Sequence, residues 1–113
     1  MKKFKFILPL ALIIIFISQY SSHAATASYY ASSFEGRKTA SGEIYHGSVH
    51  SCATPSFNGK IYTIRIKNLS NGKTSHCRVN DRMGNSNRTL DVSHVVAIEL
   101  GMLKSGVARI VIY

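Results

Sequence analysis

Fourteen lysines and arginines against five aspartates and glutamates give this 113-residue chain a net charge of +9 with its histidines neutral. A surface so basic seeks anionic polymers. The length allows one small domain and excludes several, and the core of such a domain is barely large enough to stand without a staple.

Lys2, Lys3 and Lys5 precede an apolar run from Phe6 to Ile17, after which the chain turns polar through Ser18 to His23 and reaches Ala24-Ala25. That order is the pattern of a secretory signal peptide. Ser22 and Ala24 supply the small residues of a cleavage site, which places the cut after Ala24, with Ala25 as second choice. Residues 1–24 therefore read as leader and residues 25–113 as the exported domain. The apolar run is shorter than the about 20 residues a bilayer core requires, so no stable membrane anchor is expected after cleavage. The expected product is periplasmic or secreted. Loss of three lysines with the leader leaves eleven of the fourteen bases against all five acids. Export sets nucleic acid aside as a partner and favours cell-wall glycan with acidic stem peptides, or an anionic membrane face.

Thr26 to Ala31 reads as a short strand, and the glycine-bearing stretch from Ser32 to Gly47 as a long ordered loop, a kind of segment that usually carries function. Ile61 to Lys67 alternates, with Tyr62, Ile64 and Ile66 on one face and Thr63, Arg65 and Lys67 on the other. Asn71-Gly72 favours a type I′ hairpin turn into a partner strand over Lys73 to Asn80, with Ser75, Cys77 and Val79 on one face. Ser93 stands at a helix N-cap ahead of Val95, Val96, Ile98 and Leu100, with Gly101 placed to end the helix. Val107 to Tyr113 is β-rich and forms a last strand. Short strands, long loops and one helix predict a small β-barrel.

The two cysteines, Cys52 and Cys77, both fall in the exported part, where an even count argues for one disulfide; two buried free thiols are the alternative. The histidines are scattered and no Cys-x-x-Cys spacing exists, so neither a metal nor another cofactor is expected.

The acids concentrate in motif-like blocks. Val79-Asn80-Asp81-Arg82 and Leu90-Asp91-Val92-Ser93 hold two of the five, and Gly36 to Tyr45 holds a third, Glu43. Turn capping, or pairing with Arg78, Arg82 and Arg88, is the plain structural reading of Asp81 and Asp91. The ordered set Ala27-Ser28-Tyr29-Tyr30, Phe34-Glu35-Gly36-Arg37, Lys38 to Tyr45, Arg78 to Arg82, Asp91-Val92-Ser93 and Leu100-Gly101-Met102 closely resembles the rare lipoprotein A family, over nearly all of residues 26–113.

That resemblance implies a mainly β fold, a six-stranded double-psi β-barrel with one or two short helices, related to expansins. It also implies a peptidoglycan lytic transglycosylase, a lyase that cuts glycan strands endolytically to 1,6-anhydro ends. The alternative is a non-catalytic, expansin-like domain that grips glycan with the same groove. Asp81 resembles the family's catalytic acid, Glu43 its supporting carboxylate, and Asp91 the groove aspartate of expansin-like barrels. Thr54 stands where many relatives have histidine, and His46 or His50 is a candidate to approach from nearby. Met83-Gly84 replaces the common Gly-Pro after the motif arginine. Arg37, Lys38 and Arg82 are candidates for substrate carboxylates, Tyr45 for a sugar face, and Thr54 completes the substrate-binding set. A monomer acting on peptidoglycan glycan strands is expected. Protonating a glycosidic oxygen at neutral pH requires a carboxyl whose pKa is raised by burial or a neighbouring charge, which is the expectation for Asp81 beside Asp91 or Glu43.

Overall fold

The computed structural model describes residues 23–84 and 87–113. Six strands form a closed barrel: β1 (His23–Tyr29), β2 (Ser51–Thr54), β3 (Tyr62–Asn68), β4 (Thr74–Arg82), β5 (Leu90–Val92) and β6 (Val107–Ile112). Around the barrel they run β1-β5-β2-β4-β3-β6, and β6 returns to pair with β1. β1 with β5 and β2 with β4 are parallel, and the other four pairings are antiparallel. The six-stranded, mainly β architecture matches the expectation, with one α-helix, α1 (His94–Glu99), and one 3-10 turn, Ser32–Phe34, among the described residues.

Period-2 alternation sorts the side chains. Ala27 of β1, Cys52 of β2, Ile66 of β3, Cys77 and Val79 of β4, Leu90 and Val92 of β5 and Ile110 of β6 fill the barrel. Val96, Ala97, Leu100 and Met102 close one end from α1 and the segment after it. Cys52 and Cys77 are joined in this core, with their Cα atoms 5.8 Å apart. Closing a loop over a separation of 25 residues stabilises the fold by about 3.5 kcal/mol on the chain-entropy estimate.

Several sequence expectations shift. β1 begins at His23 rather than Thr26, because His23 and Ala24 pair with Ile112 and Val111 of β6. The expected leader otherwise lies outside the described residues. The partner strand runs on to Arg82, two residues beyond Asn80. Asn71-Gly72 is no type I′ turn: φ is positive at Gly72 and not at Asn71, whereas that turn requires both. A longer loop forms instead, in which the Gly72 N–H donates to the Asn68 carbonyl at 2.8 Å. Tertiary contact explains the choice, since Asn68 and Asn71 both donate side-chain N–H groups to the Leu100 carbonyl at the end of α1. Gly101 ends that helix with φ 66°, and a Cβ there would stand 2.9 Å from Asn71 Nδ2, so glycine is required on both counts. Ser93 has the extended N-cap conformation, but its hydroxyl makes no cap bond and accepts the Ser51 N–H at 3.3 Å instead.

Candidate active site

The same alternation that fills the barrel points a second set of side chains outward. Between the core residues Leu90 and Val92 lies Asp91; next to Cys52 lies Ala53; Ser28 alternates with Ala27. In register, Ala53 on β2 faces Asp91 on β5 to one side and Asp81 on β4 to the other, while Ser28 on β1 faces Asp91. Four adjacent strands thus present Ser28, Asp91, Ala53 and Asp81 in a row on one outer face. With strands about 4.8 Å apart, the two aspartates stand about 10 Å apart at the backbone, separated by one methyl group.

A break in the β4 ladder makes this row possible. Cys52 pairs with Val79 but Ala53 pairs with Asp81, which leaves Asn80 as an extra, bulged residue. Val79 and Asn80 are consequently both buried, and Asp81 is turned outward. The bulge is held by the loop above it: Asn80 Nδ2 donates to Glu43 Oε1 at 2.9 Å, and the Asn80 carbonyl accepts the Ser41 N–H.

The groove over Ala53 is about 310 Å³ and is lined by Tyr30, Phe34, Ala53, Asp81, Arg82, Met83, Gly84, Arg88 and Asp91. Asp81 accepts hydrogen bonds there from the Tyr30 hydroxyl at 2.7 Å, the Ala40 N–H at 2.8 Å and the Arg82 N–H at 2.9 Å. Asp91 accepts a hydrogen bond from the Ser28 hydroxyl at 2.8 Å. Burial pushes the Asp91 carboxyl above the usual range, with a smaller push from the Asp81 charge, against the Ser28 bond and the charge of Arg88. Tyr30 stacks on Tyr45 with ring centroids 4.2 Å apart and meets Phe34 edge-on. Burial, followed by the bond to Asp81, drives the Tyr30 phenol upward, so it remains a donor.

The sequence-predicted residues divide. Asp81, Asp91 and Arg82 meet in the groove, the last with its Nε–H bound to the Phe57 carbonyl at 2.9 Å. Glu43 is not among the groove's lining residues; its carboxylate faces Asn80 and Arg78, and the Asn80 bond first, then Arg78, hold it below the usual range. Tyr45 is buried behind Tyr30, its oxygen accepting the His94 N–H at 3.3 Å. Arg37 lies over the Phe34 ring, and Lys38 forms a bridge with Ile44. Thr54 is buried beside Arg82 in the ladder, and its Oγ1 has no hydrogen-bond partner among the described residues. His46 binds Glu35, and His50 binds Glu99 and stacks on His76; neither lines the groove. Tyr30, Ser28 and Ala53 are site residues that the sequence reading passed over. Their common signal is strand parity with the aspartates, which becomes readable only when the register is known. Among the described residues, no group of three or more His, Cys, Asp or Glu is arranged to hold a metal.

No protein-family model matches the chain. Among curated proteins, it is 47% identical over 90 residues to "Probable endolytic peptidoglycan transglycosylase RlpA" of Treponema pallidum, covering 77% of this chain and 27% of that protein. It is 37% identical over 85 residues to the endolytic peptidoglycan transglycosylase RlpA of Haemophilus influenzae, covering 74% of this chain and 29% of that one. The chain thus spans between a quarter and a third of the length of these relatives. Among solved structures, Streptomyces papain inhibitor superposes with a TM-score of 0.62 at 20% identity, over 80% of this chain and 91% of that one. That likeness concerns the fold, a double-psi β-barrel.

Proposed function

We propose that this chain, a member of the rare lipoprotein A-like double-psi β-barrel family, cleaves the glycan strands of peptidoglycan without water and leaves 1,6-anhydro ends. What supports the reading is one arrangement: two aspartates flank a methyl-floored groove, and burial raises the pKa of one of them, Asp91. The proton donor is accordingly Asp91 rather than Asp81. Asp91 protonates the glycosidic oxygen as the bond from the sugar's anomeric carbon to that oxygen breaks. The sugar's own 6-hydroxyl oxygen then bonds to the anomeric carbon, and its proton returns to Asp91, now a carboxylate. No water enters and no group is left over. Asp81, held at both oxygens by Tyr30, Ala40 and Arg82, faces the oxocarbenium-like charge and stabilises it. Glu43 acts through Asn80, as the residue that fixes the bulge and hence the aim of Asp81.

The substrate lies outside the cytoplasm, so the reading includes export by a leader over residues 1–24. It also includes release from the membrane after cleavage and action as a monomer. The test is digestion of purified sacculi with the wild-type protein beside Asp91→Asn and Asp81→Asn, with fragments analysed by mass. Anhydro-ended fragments from the wild type and at least about a hundredfold less from either variant are expected. Binding of sacculi with no release by the wild type would make the barrel a glycan-gripping domain instead.

A further inference from the structure

Tyr30 lines two different clefts. On one side lies the aspartate groove; on the other is a larger cleft of about 580 Å³, whose lining also includes Tyr30. This volume is within the range of small-molecule sites. Its apolar wall is Tyr45, Val95 and Ile98, and its polar rim carries Ser32, Ser48 and Glu35. Ile98 is 50% exposed although it sits on a helix whose neighbours Val96 and Ala97 are buried, so it offers its side chain to this cleft rather than to the core.

The cleft is built rather than left over. The Gly47 carbonyl accepts the Val95 N–H at 2.9 Å, and the Tyr45 oxygen accepts the His94 N–H, which ties the start of α1 to the loop opposite. Glu35 is fixed at the rim by the Gly47 N–H at 2.8 Å and by His46 at 2.7 Å. A Cβ at Gly47 would come within 3.2 Å of His94 Cβ and 3.4 Å of Glu35 Oε1, so the walls are as close as a glycine permits.

Its chemistry is unlike that of the aspartate groove. Arg82 and Arg88 line the groove, whereas no lysine or arginine lines the second cleft among the described residues; its lining carries the Glu35 carboxylate, paired with His46, and the His94 ring. An anionic substituent finds no lysine or arginine there and meets Glu35. A methyl-bearing, uncharged amide finds an apolar wall, and sugar hydroxyls find Ser32, Ser48 and Glu35 as partners. We infer that the second cleft is a subsite for an uncharged N-acetylated sugar of the glycan strand, continuous with the aspartate groove across Tyr30. This rests on the glycan reading proposed above and adds which sugar substituent is recognised and where.

The test is a binding measurement that needs no cleavage. Asp91→Asn protein is titrated with the β-1,4 tetramer of N-acetylglucosamine and with the matching glucose tetramer, which carries a hydroxyl in place of each acetamido group. The acetylated tetramer is expected to bind at least about tenfold more tightly, the discrimination one buried methyl supplies. Amide shifts should concentrate at Ser48, Val95 and Ile98. Ile98→Ser, at an exposed position, should bring the two affinities together. Equal affinities for the two tetramers, no binding of either, or shifts confined to the Asp81 and Asp91 strands would overturn the subsite. Loss of sacculus cleavage in the wild type would overturn the transglycosylase reading and leave a positive titration standing.

Discussion

Tyr29 and Tyr30 are adjacent tyrosines, each with its hydroxyl bound at a partner, yet strand parity gives them opposite duties. The Tyr30 hydroxyl donates to Asp81 Oδ2 at 2.7 Å in the groove; the Tyr29 hydroxyl donates to the Leu103 carbonyl at 2.8 Å, next to the core. Tyr30→Phe removes one hydrogen bond to a carboxylate and keeps the ring stacked on Tyr45. Such a bond is worth about 1.5–3 kcal/mol. Two other donors, the Ala40 and Arg82 N–H groups, still hold Asp81, so the cost falls on its orientation rather than its presence. If that orientation is needed in the transition state, the turnover rate falls by about 10- to 100-fold. Fragment release from sacculi at saturating substrate should show the loss in kcat with KM little changed. Tyr29→Phe is the matched control: it should keep the wild-type rate and lose about 1 kcal/mol of stability, a fall of about 4–8 °C in Tm. Equal rates for Tyr30→Phe and wild type, or equal rate losses in the two variants, would refute the positioning of Asp81 by Tyr30.

Asp91 gives two linked predictions. As the proposed proton donor it must be protonated, so release should decline as pH rises through its raised pKa; Ser28→Ala removes a bond that favours the carboxylate and should move that decline to higher pH. A carboxyl raised on folding binds its proton more tightly in the folded state, so its contribution to stability is greatest at low pH and diminishes as pH climbs through the raised value. Asp91→Asn should therefore raise Tm at neutral pH while release is lost, and a lowered Tm there would contradict the burial argument. Ala53→Leu should fill the groove floor between the aspartates, abolish release and cost about 1–3 kcal/mol by overpacking against Tyr30, Tyr45 and Met83, read by denaturant unfolding. Cys52→Ala with Cys77→Ala should lower unfolding free energy by at least about 3 kcal/mol, and an unchanged midpoint would remove the disulfide from the account.

How far the sequence could be read depended on whether a feature was local. Alternation over Tyr62 to Lys67 announced β3, and Ser75, Cys77 and Val79 announced its partner, because both faces of that hairpin obey period 2. Asp81 and Asp91 were identifiable as site candidates from their motifs. The motif of Glu43 is equally distinctive, but it lies on a loop, and its carboxylate turns to Asn80 and Arg78. The bulge at Asn80 was invisible, since nothing in Val79-Asn80-Asp81 says which residue leaves the ladder. The same blindness hid Tyr30, which follows β1 and reaches the groove, whereas Tyr45 lies on a loop and packs behind it. Asn71-Gly72 shows a local signal overruled, where two asparagine side chains reaching the end of α1 outweigh the turn preference of the dipeptide.

Glycan cleavage by an internal hydroxyl, between Asp91 and Asp81 across Ala53, is the proposed reaction. Digesting sacculi in water enriched in heavy oxygen tests it most directly. Released sugar ends should carry no label and weigh one water less than hydrolysed ends, and Asp91→Asn should release none. Labelled reducing ends would show that water, not the 6-hydroxyl, attacks, and release by Asp91→Asn at the wild-type rate would place the proton donor elsewhere.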